Sequence, residues 1–235
     1  RQYKRNYKPP REEIVLRIDD KVVGTLENII SFTGLPKAGK STFIHSCIAS
    51  SFHRFPIFSM KLTPPKSRPI VCYIDTESSQ HDFYRGIERI KQLAEDKADL
   101  DNLHAYCFRD LNPQEIRNCI DYYLSSVPKC SVMIIDGLLD TLMNYNDETE
   151  SRMCIDWLKK ITKKHNILVV GVVHVGKSNL QTLGTFGSMI DRYAQSVLLV
   201  EKKEGLFEMK PKFMRSDADF SAVVIGREKN GFVQQ

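Results

Sequence analysis

One short run of this 235-residue chain is built to grip phosphate: GLPKAGKS, with Gly34, four residues, then Gly39, Lys40 and Ser41. Glycines let a backbone bend around phosphate oxygens and approach them without a Cβ in the way. A lysine ammonium there meets the β and γ oxygens, and a serine hydroxyl can ligate Mg²⁺. The expected cradle comprises Gly34, Pro36, Lys37, Ala38, Gly39, Lys40, Ser41 and Thr42. A helix starting at Lys40 would aim its free N–H groups and dipole at the same anion. The ligand so implied is ATP with Mg²⁺.

Three further polar residues end apolar runs. Asp136 closes VMIID, where a carboxylate could join Ser41 in holding the metal. Glu77 closes VCYIDTE and is the candidate to orient and deprotonate an attacking water; Asp75, two residues earlier, is its rival. His174 ends ILVVGVVH, where it could sense the γ-phosphate and pass its loss to the loop beyond; an isolated histidine can equally be a structural hydrogen-bonder.

These residues need a scaffold that brings strand ends to one edge. EIVLRIDDKVVGTL alternates apolar and polar residues around Asp19-Asp20 and reads as a β-hairpin. ENIISFTG reads as a buried strand, followed by a helix over Lys40 to Phe52. PIVCYIDTE, LHAYCF, CSVMIIDG and NILVVGVVH are further buried strands, separated by helical periodicity over Asp82 to Asp96, Pro113 to Ser125 and Glu148 to His165. Strands alternating with helices predict a mostly parallel central sheet flanked by helices. Beyond Ser188, QSVLLVEKKEGLFEMKPKFM and SAVVIG predict antiparallel strands at the C-terminal end. The proline-rich stretch Arg54 to Arg68 reads as a surface connection. The expected organisation is a basic arm over residues 1–11 and one α/β domain over residues 12–235.

Composition excludes several classes. No apolar run approaches the roughly 20 residues that span a bilayer, and the polar, basic first residues lack an export signal, so a soluble, cytoplasmic protein is expected. Six cysteines without a CxxC pair give no disulfide or zinc framework. A net charge of +5 permits a nucleic-acid partner without requiring one.

Taken together, GLPKAGKST, IDTES, MIIDG, VVHVGKS and the later FGS resemble the RecA-like ATPases, most of all the RepA-type plasmid helicases and the hexameric replicative helicases. The resemblance runs over about residues 12 to 230. It implies a RecA-like fold, a homo-oligomer in the form of a hexameric ring, ATP bound between subunits, and two channel loops that grip single-stranded DNA. By position these loops are Leu138 to Glu150 and Val175 to Ser188. The second carries Lys177, Ser178, Asn179 and Gln181, residues suited to phosphate contacts; the first has no Lys or Arg. Where the plasmid helicases place an arginine before Gly-Ser, this chain has Phe186. The role of reaching into a neighbour's site then falls to Arg215 in KPKFMRSD, with Arg192 as a weaker substitute.

Two functional classes follow. The first is a DNA-dependent ATPase, a helicase or replication ATPase, with Lys40, Glu77, Asp136, His174 and Arg215 as its catalytic set. The second is a nucleotide-gated assembly module acting on protein partners, which the Arg54 to Arg68 stretch and the N-terminal arm could dock. A small-molecule kinase ranks third, since no arginine-bearing lid is evident.

Overall fold

A computed structural model of the chain describes residues 11–95, 99–176, 182–228 and 231–234. The expected hairpin is present as β1 (Ile14–Ile18) and β2 (Lys21–Thr25), paired antiparallel across Asp19 and Asp20. Both turn residues have positive φ, 48° and 60°, as a two-residue hairpin turn requires of short polar side chains. Then follow β3 (Ile29–Gly34), α1 (Lys40–Phe52), β4 (Met60–Leu62), β5 (Ile70–Asp75), α2 (Gln80–Leu93) and β6 (Leu103–Cys107). The middle of the chain forms α3 (Pro113–Ser126), β7 (Cys130–Asp136), a 3₁₀ turn (Leu138–Thr141), α4 (Glu148–His165) and β8 (Leu168–His174). It closes with α5 (Gly184–Tyr193), β9 (Ser196–Lys203), β10 (Leu206–Met214), β11 (Val223–Glu228) and β12 (Gly231–Gln234).

Nine strands make one sheet in the order β12-β11-β10-β9-β3-β8-β7-β5-β6. From β9 to β6 every pairing is parallel, and from β9 to β12 every pairing is antiparallel. The fold is therefore the expected α/β P-loop architecture. Its central strands show why: both faces are buried, and successive residues point to different cores. Val132, Ile134, Val170 and Val172 join Phe43, Ile44 and Ile48 of α1 and Phe83 and Ile90 of α2 in one cluster. Met133, Ile135, Val169 and Val173 join residues of α3, α4 and α5, among them Ile120, Leu158 and Ile190, in the other. A sheet covered on both faces is the geometry in which strand ends, rather than strand faces, are left to meet a ligand.

Two expectations need correction. The Arg54 to Arg68 stretch is not simply a surface connection, because it contains β4, which pairs with β1 in a three-stranded sheet β2-β1-β4. Met60 and Leu62 are fully buried against the α1 side of the molecule. Arg68 is also an internal anchor, its guanidinium donating to the carbonyls of Pro128, Asn166, Cys130 and His165 at the end of the sheet opposite the phosphate loop. The second correction concerns Val175 to Ser188. Its last part, from Gly184, is helical, and Phe186 is completely buried as a core residue of α5. Glycines at 184 and 187 make this segment a poor helix by propensity, so burial of Phe186, Met189 and Ile190 must supply what propensity withholds.

The first loop also has definite structure. After the 3₁₀ turn, the Glu150 carboxylate accepts the N–H groups of Met143 at 2.7 Å and Asn144 at 2.9 Å, folding the segment back onto the start of α4. No helix of the described residues is long and apolar enough to cross a membrane.

Candidate active site

The phosphate loop joins β3 to α1. Gly34 sits where β3 and β9 approach so closely that an added Cβ would lie 2.2 Å from the carbonyl oxygen of Val200. Gly39 has φ +97° and serves as the N-cap of α1 without any side-chain cap, and no acid stands in the first turn. Helices α2, α3 and α4 instead cap their first turns with Ser79, Asn112 and Asp147. The first N–H groups of α1 are thus left for an external acceptor, which is what an anion at a helix N-terminus uses. Pro36 and Lys37 are exposed on the loop, whereas Ala38 and Thr42 are buried beneath it.

Parallel register then aligns the other candidates. Gly34 pairs with His174, and Asp75 with Asp136, so the ends of β3, β8, β7 and β5 share one edge. The side chains meet there. Lys40 Nζ donates to the carbonyls of Gly34 at 3.0 Å and Leu35 at 2.9 Å, and lies 3.1 Å from His174 Nδ1. His174 Nε2 is 3.0 Å from Glu77 Oε1. An ammonium can only donate, so His174 Nδ1 accepts and the ring proton sits on Nε2, which donates to Glu77. That hydrogen bond holds the Glu77 carboxyl below its usual range, against the opposing effect of burial. Burial in turn lowers the Lys40 ammonium, with the charges of Asp136 and Glu77 working the other way.

Asp136 is held from the start of α1. Ser41 Oγ donates to its Oδ2 at 3.0 Å, and Asp136 is only 7% exposed. Burial, and then the neighbouring charge of Asp75, push its carboxyl up to about 7. The Ser41 hydroxyl and the buried Asp136 carboxyl are hard oxygen donors and fit Mg²⁺. Among the described residues no three of His, Cys, Asp or Glu gather as a cation cage. Ser41 and Asp136 would therefore hold the ion together with phosphate oxygens, and when bound it neutralises charge on the β- and γ-phosphates.

Sequence reasoning missed a staple between the two acid-bearing strands. Thr76 Oγ1 lies 3.0 Å from the carbonyl of Asp136 and 3.1 Å from that of Gly137, and donates to Asp140 Oδ2 at 2.7 Å. Thr76 N donates to Asp136 O at 3.0 Å. Gly137, at φ +103°, leaves room for this, since a Cβ there would lie 2.0 Å from Thr76 Oγ1. The glycine after the aspartate in MIIDG was the available signal. Asp75 and Glu77 differ in setting: Asp75 is 4% exposed, while Glu77 is an exposed residue facing His174.

The remaining candidates lie apart. Arg215 follows β10, and its guanidinium donates to the backbone carbonyl of Arg192, not to any residue of the phosphate edge. Lys177, Ser178, Asn179 and Gln181 fall outside the described residues, as do residues 1–10 of the basic arm. What borders the second loop is described: Val175 and Thr182 form a β-bridge, and Leu183 N donates to the carbonyl of His174 at 3.0 Å.

A parallel sheet with a glycine-lysine-serine loop between β3 and α1, and acids at the adjoining strand ends, defines a P-loop ATPase. A family model described as an AAA domain matches residues 18–179, well over half of the chain, and the chain belongs to that family. No curated protein matched it.

Proposed function

We propose that this P-loop ATPase hydrolyses ATP in response to single-stranded DNA, as a helicase or replication ATPase assembled into a ring. The observation that carries the reading is the position of His174. Its ring stands between Lys40 and Glu77, and its own carbonyl holds Leu183 at the far end of the polar loop. A change at the γ-phosphate and a change in the loop are thereby one residue apart.

The residues divide the work as follows. Lys40 releases its contacts to the loop carbonyls and to His174 in order to meet the β and γ oxygens, and the N–H groups of α1 take the rest of the phosphate charge. Glu77 orients the attacking water and accepts its proton. His174 senses the terminal phosphate through the departure of Lys40 from its Nδ1 and passes that change to the loop through the 174–183 backbone link. Lys177, Ser178, Asn179 and Gln181 contact the DNA backbone, and Arg215, on releasing the Arg192 carbonyl, acts across the subunit boundary on a neighbour's ATP.

The test is ATP turnover with and without a single-stranded oligonucleotide at low salt. Stimulation of about tenfold or more is expected, and Lys177→Ala should reduce it while basal turnover stays unchanged. Equal rates with and without DNA, together with a nucleotide-dependent change of particle size in light scattering, would replace this reading with the assembly module.

A further inference from the structure

Asp75 is the acid at the phosphate edge that neither the metal nor the water requires. It ends β5, is almost completely buried, and spends its oxygens on neighbours. Oδ1 accepts the backbone N–H of Glu77 at 3.0 Å and of Ser78 at 2.8 Å. Oδ2 accepts the Tyr73 hydroxyl at 3.3 Å, and that hydroxyl lies 3.3 Å from His45 Nε2 on α1. The two amide donors belong to the turn that carries Glu77. An aspartate that ties the next two or three amides to its own side chain fixes the turn's backbone.

The other side of the same turn is held by Thr76, stapled to Asp136, Gly137 and Asp140. With residues 75 to 78 fixed from both sides, only the side-chain torsions of Glu77 are left to place its carboxylate, and His174 fixes those. Keeping Asp75 is costly. It faces Asp136 across the β5–β7 pairing, so two carboxyls are buried side by side. Burying a second carboxyl beside the first costs free energy that an apolar residue at this position would not, and the hydrogen bonds to the Glu77 turn are what Asp75 supplies in return.

We infer that Asp75 is a positioning residue for hydrolysis: its carboxylate locks the Glu77 turn so that Glu77 meets the attacking water already in place. The inference rests on Glu77 being the water-activating group. Misplacement of a catalytic group by about 1 Å costs on the order of 10²-fold in rate, and that sets the scale of the effect.

The experiment measures kcat and KM for ATP in the full chain and in Asp75→Ala, Asp75→Asn, Glu77→Gln and the Asp75→Ala/Glu77→Gln pair. Asp75→Ala should lower kcat by roughly 10²-fold and leave KM within about threefold, because the phosphate cradle is untouched. Asp75→Asn keeps an acceptor oxygen for both amides and should recover kcat to within about fivefold of the parent. Glu77→Gln should be slower still, by about 10³-fold, and adding Asp75→Ala to it should change nothing further, since positioning acts only through Glu77. An Asn variant as slow as the Ala variant means that the charge matters instead of the hydrogen bonds, and overturns the inference. So does an Ala variant with parental kcat while Glu77→Gln is inactive. Parental kcat in Glu77→Gln removes the water-activating role and this inference with it. If circular dichroism shows Asp75→Ala unfolded, Asp75→Leu, close to Asp in shape and with no acceptor for either amide, takes its place with the same expectations.

Discussion

The two halves of the nine-stranded sheet handle charge in opposite ways. In the antiparallel half several charges on β9 and β10 have neighbours of opposite sign. Lys203 pairs with Glu201 at 3.4 Å and Glu208 at 3.2 Å, Lys210 reaches Glu201 at 2.6 Å, and Lys212 meets Asp191 at 2.8 Å. At the end of the parallel half, Asp75 and Asp136 are buried side by side, and the nearest cation, Lys40, spends its protons on two carbonyls and His174. A scaffold closes its electrostatics within itself. A site leaves them open toward the ligand that completes them. If this distinction is right, substitutions at the parallel edge should alter chemistry or even stabilise the free protein, whereas those in the antiparallel half should cost a little stability and no more.

The largest effects are expected from the groups that would touch the triphosphate. Lys40→Ala should bring ATP turnover to background, a loss of about 10³-fold or more, and weaken nucleotide binding in a fluorescence titration. Glu77→Gln should lose about 10²- to 10⁴-fold in kcat while nucleotide affinity changes little. Comparable losses from Lys210→Met, in the antiparallel half, would erase the contrast.

The next effect has an unusual sign. Asp136 has its folded carboxyl raised from 3.8 to about 7 by burial and by Asp75. A raised carboxyl takes up a proton on folding between those two values. The stability it confers is full below about pH 4 and is lost as pH rises to about 7, after which the ionised group is a standing cost. Asp136→Asn removes that cost. In the absence of nucleotide it should be more stable than the parent at pH 8, by on the order of 3 kcal/mol, and equal to it near pH 4 in urea titrations. A variant less stable at pH 8 would mean that Asp136 is already compensated in the free protein.

Backbone geometry gives a third comparison between the halves. Gly137 and Gly205 both have positive φ, +103° and +84°. A Cβ on Gly137 would run into Thr76 Oγ1, but on Gly205, in the β9–β10 turn, it would meet nothing within 4 Å. Gly205→Ala should therefore cost only conformational strain, about 1 kcal/mol, and Gly137→Ala about 2–3 kcal/mol plus a loss of turnover as the Thr76 staple shifts. Equal costs in urea titrations would show that the staple is soft.

The same contrast explains what could be read from sequence. Residues that end buried parallel strands are aligned by register, so Gly34, Asp136 and His174 could be placed on one edge from strand assignments alone, and Glu77 one turn beyond. The positions of Asp75 and Glu77 could not be separated that way: an extended chain puts both on one side, but β5 stops at Asp75 and the following turn sends Glu77 elsewhere. Strand β4 was illegible because three residues next to prolines form a strand only through their pairing with β1. Helix α5 was hidden by Gly184 and Gly187, since its stability comes from the core and not from its own propensity. The distinction also applies to Arg215: its position depends on where β10 ends, a matter of long-range pairing and of the register shift between Pro211 and Phe213.

The smallest effect tests the closed half directly. Lys210 donates to Glu201, whose carboxyl that contact pulls below its usual range, and both side chains are partly exposed, at 37% and 17%. A depressed carboxyl contributes stability above its unfolded pKa and loses it as pH falls through the folded value, the reverse of Asp136. Lys210→Met should therefore cost less than about 1 kcal/mol at pH 7, less again in high salt, and nothing once pH falls below the acid range of Glu201. Turnover should be unchanged, because the pair lies on the scaffold side of the division. A drop in kcat with no change in urea stability would put Lys210 on the other side, as a cation held by Glu201 for use elsewhere.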